Sequence, residues 1–239
     1  MFENIHEATR WLEATLRPQG DGRRLRAAVA TLSGKPQLAL LLRSLLADRQ
    51  SMAVAAAQSY THPLGFDKLT LAILKDLDYQ LRLHIWWPDR ENAIEDVHNH
   101  RFAFASAVLD GALKMQTFER ADDGAPVQEY RSPLGTTVGV SLFRHLGDAN
   151  LACTATSHMP AGSVYRMSAR TLHRILIANA ADLTATLFLQ GPIMQPWTAV
   201  FSDHAVRQRP TIARPTMAPG SFGERVAAYV ERLENSAAA

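Results

Sequence analysis

Between Lys68 and Phe201 the chain is cut into about eleven short segments of alternating or β-rich character, separated by turn formers and with no long helical stretch among them. They run 68–74, 79–87, 97–110, 113–119, 127–130, 137–143, 151–156, 164–167, 173–177, 183–189 and 197–201. A parallel sheet would need helical crossovers between its strands, so this pattern predicts antiparallel β structure, a sandwich or a barrel. The double-sheet jelly roll is the version with a ligand-sized interior. Chain reversals are expected at Asp122-Asp123-Gly124, Pro133-Leu134-Gly135, 147–150, Pro160-Ala161-Gly162 and 179–182.

The flanks read differently. Ile5, Ala8, Trp11, Leu12 and Leu16 recur at helical spacing, and breaks at 17–22 and Gly34-Lys35-Pro36 divide further helical stretches at 25–32, 38–46 and 52–59. Residues 1–59 are therefore expected to form a helical segment, 60–208 a β-barrel domain, and 209–239 a Pro-rich connector with an amphipathic helix over 222–233 and a frayed end. A chain of 239 residues can bury a full core. No apolar run approaches the roughly 20 residues that cross a bilayer, and the start lacks a secretory layout. The single cysteine, Cys153, forms no internal disulfide, which fits a reducing cytoplasm, and it reads as a small buried apolar residue. A net charge of +2 with scattered basic residues gives no reason to expect a nucleic-acid or membrane partner.

One stretch carries chemistry. In Val97-His98-Asn99-His100 two histidines stand at i and i+2, and on an extended backbone such positions share a face. The face continues through Phe102, Phe104, Ser106 and Val108, mostly apolar, so it reads as the interior of a closed or nearly closed sheet. His173 opens a later β-rich run. Three imidazoles from two strands could hold one ion with part of its coordination sphere open, although histidines on strands are more often plain core or surface residues. Glu95 and Asp96 could also ligate, but they precede the pair in a loop. A Gly-x-Ser-x-Gly elbow and a glycine-rich phosphate loop are both absent from the sequence.

These motifs resemble those of the cupin superfamily. Its first motif, His-x-His, an acidic residue and a glycine, is matched by His98, His100, the slot at Phe104, and Gly111. Its second, Pro-x-Gly, a histidine and an asparagine, is matched by Pro160, Gly162, His173 and Asn179, with extra residues before the histidine. The resemblance implies a jelly roll with His98, His100 and His173 as metal ligands. Phe104 replaces the usual glutamate. Three histidines without the acid resemble the thiol dioxygenases, cysteine dioxygenase among them, and that likeness implies a mononuclear non-haem Fe(II) site consuming O2. Imidazole ligands equally suit Zn, Ni, Cu or Co.

The likeness extends to Tyr60-Thr61-His62, where the family has an arginine that binds the substrate carboxylate and this chain has His62. The family's serine-histidine-tyrosine relay is unmatched, since Thr186, Phe188 and Gln190 stand there. The expected substrate is a small chelating acid, thiol or amine other than cysteine. His62, Arg82, His84, Phe102 and Phe104 are its candidate contacts, and Tyr165 and Arg82 the candidate catalytic groups. Arg82 and His84 share a strand face that is either solvent-side or pocket-lining. Tyr165 and Arg166 point to opposite faces, and either plain packing or a hydrogen bond into the site would suit Tyr165. Trp86 and Trp87 read as packing at a sheet edge, His145 and His158 as surface residues, and His6 and His204 receive no role. A homodimer would be in keeping with the resemblance. A metal-dependent isomerase, lyase or hydrolase, or a non-catalytic ligand-binding cupin, stays open as an alternative.

Overall fold

Side-chain caps start two of the N-terminal helices: Asn4 accepts a hydrogen bond from the Glu7 N–H, and Asp48 accepts from the N–H groups of Gln50 and Ser51. The computed structural model describes all residues except 18–21, 89, 91–93, 134–139, 204–210 and 236–239. Among the described residues, α1 (Ile5–Leu16), α2 (Gly22–Leu32), α3 (Lys35–Ala47) and α4 (Arg49–Ala56) come first. Strands follow as β1 (Tyr60–Thr61), β2 (Asp67–Leu74), β3 (Tyr79–Trp86), β4 (Val97–His98), β5 (Phe102–Asp110), β6 (Ala112–Pro133), β7 (Val140–Leu142) and β8 (Arg144–Pro160). The chain continues through β9 (Val164–Met167), β10 (Leu172–Ile177), β11 (Thr184–Ile193), β12 (Trp197–Ser202) and β13 (Thr211–Ala213) to α5 (Pro219–Asn235). No helix among them is long and apolar enough to cross a membrane.

The strands form the mainly β jelly roll expected from the segment pattern. One sheet has the order β1-β2-β3-β11-β5-β9, the other β10-β4-β12-β6-β8, and β7 pairs with β13 apart from both. The pairings are antiparallel.

The larger sheet is buried on both faces, and strand alternation explains how. In β3 the residues Leu81, Leu83 and Ile85 are fully buried; they join Leu69, Ala107 and Leu187 from neighbouring strands in one apolar cluster with Leu12, Leu41, Phe222 and Val226 of the helices. The helices thus cover the outside of this sheet. The opposite face, carrying Arg82, His84, Phe104, Thr186, Phe188 and Gln190, looks into the barrel. Arg82 and His84 therefore line the interior, because the helical layer has taken the face that solvent would otherwise occupy.

Four expectations are corrected. Asp122-Asp123-Gly124 is no chain reversal: β6 runs through it, and Arg120 and Ala125 both pair with Leu151, so the intervening residues form a bulge. Gly124 is required there, since a Cβ would lie 2.5 Å from the Leu151 backbone. The 147–150 stretch likewise runs inside β8. Cys153 is exposed, because the middle of β8, at the edge of its sheet, has little covering it. The connector after residue 209 holds a strand, β13, paired with β7, and α5 begins at Pro219 rather than Phe222, a position where proline's missing N–H loses no partner. Leu134 and Gly135 of the expected Pro133-Leu134-Gly135 turn and the first three residues of the 137–143 segment lie outside the described residues, as does His204, while β7 covers Val140–Leu142 of that segment.

Two polar contacts tie the helices to the barrel strand that follows the histidine pair. Asp110, at the end of β5, accepts hydrogen bonds from Lys35 Nζ at 2.8 Å and from Tyr229 Oη at 2.7 Å.

Candidate metal centre

His98 on β4 is the direct cross-strand partner of His173 on β10, and antiparallel partners project their side chains to one face only about 5 Å apart. His100 follows just past the end of β4, where its N–H donates to the Ala169 carbonyl. The three rings form a nearly equilateral triangle, with centroids 4.9 Å (His98–His100), 4.7 Å (His98–His173) and 5.0 Å (His100–His173) apart. One nitrogen from each lies within 4.8 Å of the other two.

The surroundings set the tautomers. His98 Nδ1 is 3.0 Å from the Asp96 carbonyl and His173 Nδ1 is 3.1 Å from the Thr171 carbonyl; a carbonyl only accepts, so both Nδ1 atoms carry the proton and both Nε2 lone pairs are free. Burial, reinforced by His98, pushes His173 down to about 3 despite the Thr171 carbonyl. Burial, then His98 and His173, holds His100 well below the ordinary histidine range. Rings that stay neutral at neutral pH are the form that ligates a metal, so the donor set fits a divalent ion.

Aromatic side chains wall the triangle. Phe104 stands edge-on to His100 at 4.9 Å and stacks on Phe188 at 4.5 Å, while Phe102 stacks on His100 at 5.1 Å. Tyr165 joins this wall 6.1 Å from Phe104, its phenol pushed by burial up to about 12. Arg166 on the opposite face is exposed. Phe104 thus presents a ring, not a carboxylate, to the triangle from β5. A carboxylate arrives from the other side: Glu95, at the end of the preceding loop, is beside His98, and burial raises its pKa.

The interior beyond the rings is cationic. A cavity of about 120 Å³ around the triangle is lined by His62, Lys68, Arg82 and His84 besides the aromatic wall. It shares His98, His100 and Arg82 with a wider chamber of about 470 Å³ that adds Tyr60, Arg101, Gln190 and Arg214. Burial lowers Lys68 to about 8 and, helped by Lys68, His98 and Arg214, His62 to about 3. His62 also stacks on Phe66 at 4.5 Å.

The structure therefore brings His62, Arg82, His84, Phe102, Phe104 and Tyr165 around the three histidines. Tyr60, Lys68, Arg101 and Arg214 join them without having been singled out from the sequence. Lys68 left a trace there, a charge on a strand between Asp67 and the apolar Leu69 and Leu71. Arg214 left none, since only the β13–β7 pairing carries it to the site. His6 pairs with Asp48, His145 hydrogen-bonds Gln128 on the outer ribbon, and His158 is exposed, all away from the triangle. Trp86 stacks on Phe66, and Trp87 Nε1 donates to the buried Asp67.

No protein-family model matches this sequence, and a search of curated proteins finds no match. Among solved structures the chain is similar to cupins. A cupin-like protein from Thermotoga maritima aligns with 69% of this chain and 90% of its own, at 8% identity and a TM-score of 0.32. A cupin 2 conserved barrel domain protein from Rhodopseudomonas palustris aligns with 72% of this chain and 86% of its own, at 12% identity and a TM-score of 0.33. The hydroquinone 1,2-dioxygenase of Sphingomonas sp. TTNP3 aligns with 48% of this chain and 61% of its own, at 11% identity and a TM-score of 0.29. These likenesses concern the strand framework, and any chemistry rests on this chain's own side chains.

Proposed function

We propose that the protein is a mononuclear metal-dependent oxygenase, with His98, His100 and His173 as ligands, acting on a small chelating acid. The observation that carries this reading is the triangle itself: three imidazoles, two of them held neutral by burial, with two Nε2 lone pairs freed by backbone carbonyls, opening on a chamber lined by cations. Three neutral ligands leave the charge of a divalent ion largely uncompensated and leave part of its sphere open, which favours an anionic chelator and a second small reactant. Fe(II) is the ion best suited to O2 chemistry, and Zn, Ni, Cu or Co share the preference for imidazole.

When bound, such an ion would supply a common anchor for the acid and for O2. The chain's own residues do the rest. Arg82 and His62 face the open side of the triangle and would orient the acid there, a proximity contribution to the rate. Phe102, Phe104 and Phe188 exclude water from the inner cavity. Tyr165, kept protonated at physiological pH by burial, has a phenol O–H to donate from its wall position. The thiol dioxygenases offer the nearest chemical parallel, with a different acid-binding set here.

The test is metal content together with oxygen consumption. Protein loaded anaerobically with Fe(II) should hold about one ion per chain and consume O2 in the presence of a small chelating acid substrate. Full metal occupancy with substrate turnover but no O2 uptake would move the protein to the isomerase, lyase or hydrolase class.

A further inference from the structure

We infer that the chamber beside the three imidazoles takes a small dianion: its second acid group is held by Lys68, Arg82 and Arg214 while its chelating end faces the histidines. This rests on the metal-site reading for the chelating end alone.

The geometry is that of a built anion site. Tyr60 lies at its centre. Arg214 Nη1 donates to the Tyr60 phenol at 3.2 Å, Arg214 Cζ stands 5.3 Å from the ring centroid, and Lys68 Nζ stands 5.4 Å from it and hydrogen-bonds the phenol. Arg82 Cζ lies 6.0 Å from the Phe102 ring, which itself stacks on His100, so the cations begin one ring away from the triangle.

Two buried carboxylates elsewhere in the protein are neutralised. Asp67 pairs with Arg90 at 2.7 Å, and Asp110 with Lys35 at 2.8 Å. Among the described residues no carboxylate makes an ion pair with Lys68, Arg82 or Arg214. Arg82 Nε, Arg214 Nε and Gln190 Oε1 are buried with no hydrogen-bond partner among the described residues, although Arg82 Nη2 donates to Gln80. Lys68, Arg82 and Arg214 are half-buried, and cations drawn out of water with no carboxylate beside them oppose folding and persist where something of opposite sign completes them. Their number decides the valence of the ligand. One arginine suffices for one carboxylate, whereas three cations beside a metal site match an acid with a second anionic group. The chamber volume of about 470 Å³ falls in the range of small-molecule sites.

The experiment uses full-length protein freed of metal with a chelator, titrated calorimetrically with succinate and, as the matched monoanion, with butyrate. Succinate is expected to bind at least tenfold more tightly than butyrate, and Arg82→Gln and Arg214→Gln each to weaken succinate at least tenfold. Arg82→Met should also raise the melting temperature of the empty protein, which a purely structural arginine would lower. Equal affinity for the two acids overturns the inference, as does undiminished succinate binding in both glutamine variants. The wild-type comparison stands even if a variant fails to fold. Since no metal is present, succinate selectivity without oxygen uptake by iron-loaded protein would remove only the oxygenase reading, and the reverse pair of results would remove only the dianion.

Discussion

The Glu95 carboxylate lies 3.9 Å from His98 Nε2 through one oxygen, while its other oxygen accepts the Ile175 N–H at 2.6 Å. Phe104 offers no carboxylate from its strand, and the acid beside the triangle comes from the loop before the histidine pair. Its second oxygen is fixed on β10 only two residues beyond His173, so Glu95 is aimed at the triangle by the strand that completes it. Substitution Glu95→Gln keeps an acceptor for Ile175 and removes the charge. It is expected to weaken divalent-metal affinity about 10- to 100-fold. Competition against a chelator of known affinity measures this; unchanged affinity would mean that Glu95 serves only the Ile175 amide.

Removing one corner of the triangle tests the site directly. His173→Ala should leave less than stoichiometric metal by elemental analysis and abolish oxygen uptake, with the far-UV circular dichroism spectrum retained. The strand ladder around residue 173 is made by backbone groups, which the substitution leaves in place. Iron content and turnover at wild-type levels would refute the ligand assignment.

Acid should destabilise the metal-free protein. Burial keeps His62 and His173 unprotonated down to about 3 in the folded state, against an ordinary value of 6.5. Between those limits the unfolded chain binds more protons than the folded one, so stability falls as pH falls below 6.5. Each histidine contributes up to about 1.4 kcal/mol per pH unit in that window. Melting temperatures of chelator-treated protein at pH 7.5, 6 and 5 should decline in that order, and a flat profile would count against buried, neutral rings.

The helical layer should be energetically continuous with the barrel. Tyr229→Phe removes the hydrogen bond from α5 to Asp110 and leaves that buried carboxylate with Lys35 as its partner. A hydrogen bond to a charged group contributes about 1.5–3 kcal/mol. Urea denaturation should show a loss of that order in a single transition; a second transition would mean that the helices unfold independently of the sheet.

Local sequence was enough for much of the architecture. Alternation along residues 79–86 and 102–108, the turn at Pro160-Ala161-Gly162 and the helical spacing of Ile5, Ala8, Leu12 and Leu16 are properties of a few neighbouring residues. They set strand, turn and helix before any tertiary contact forms. The His98 and His100 pair was legible from its spacing. The single strand expected over 97–110 is two, however, β4 ending at His98 and β5 starting at Phe102 in the other sheet, so the position of His100 is set by the connection between sheets and its bond to Ala169.

What tertiary structure decided involves residues far apart in the chain. Which face of β3 meets solvent depended on the helices, whose apolar stripes cover Leu81, Leu83 and Ile85 and so turn Arg82 and His84 inward. The bulge at Gly124 depended on the length of β8 opposite it. Arg214 reaches Tyr60 across 154 residues of sequence, and Glu95 reaches Ile175 across 80. Periodicity fixes the direction a side chain takes from its own strand. Only the packing of layers fixes what stands on the other side, and with it the charge of the chamber and the acid beside the histidines.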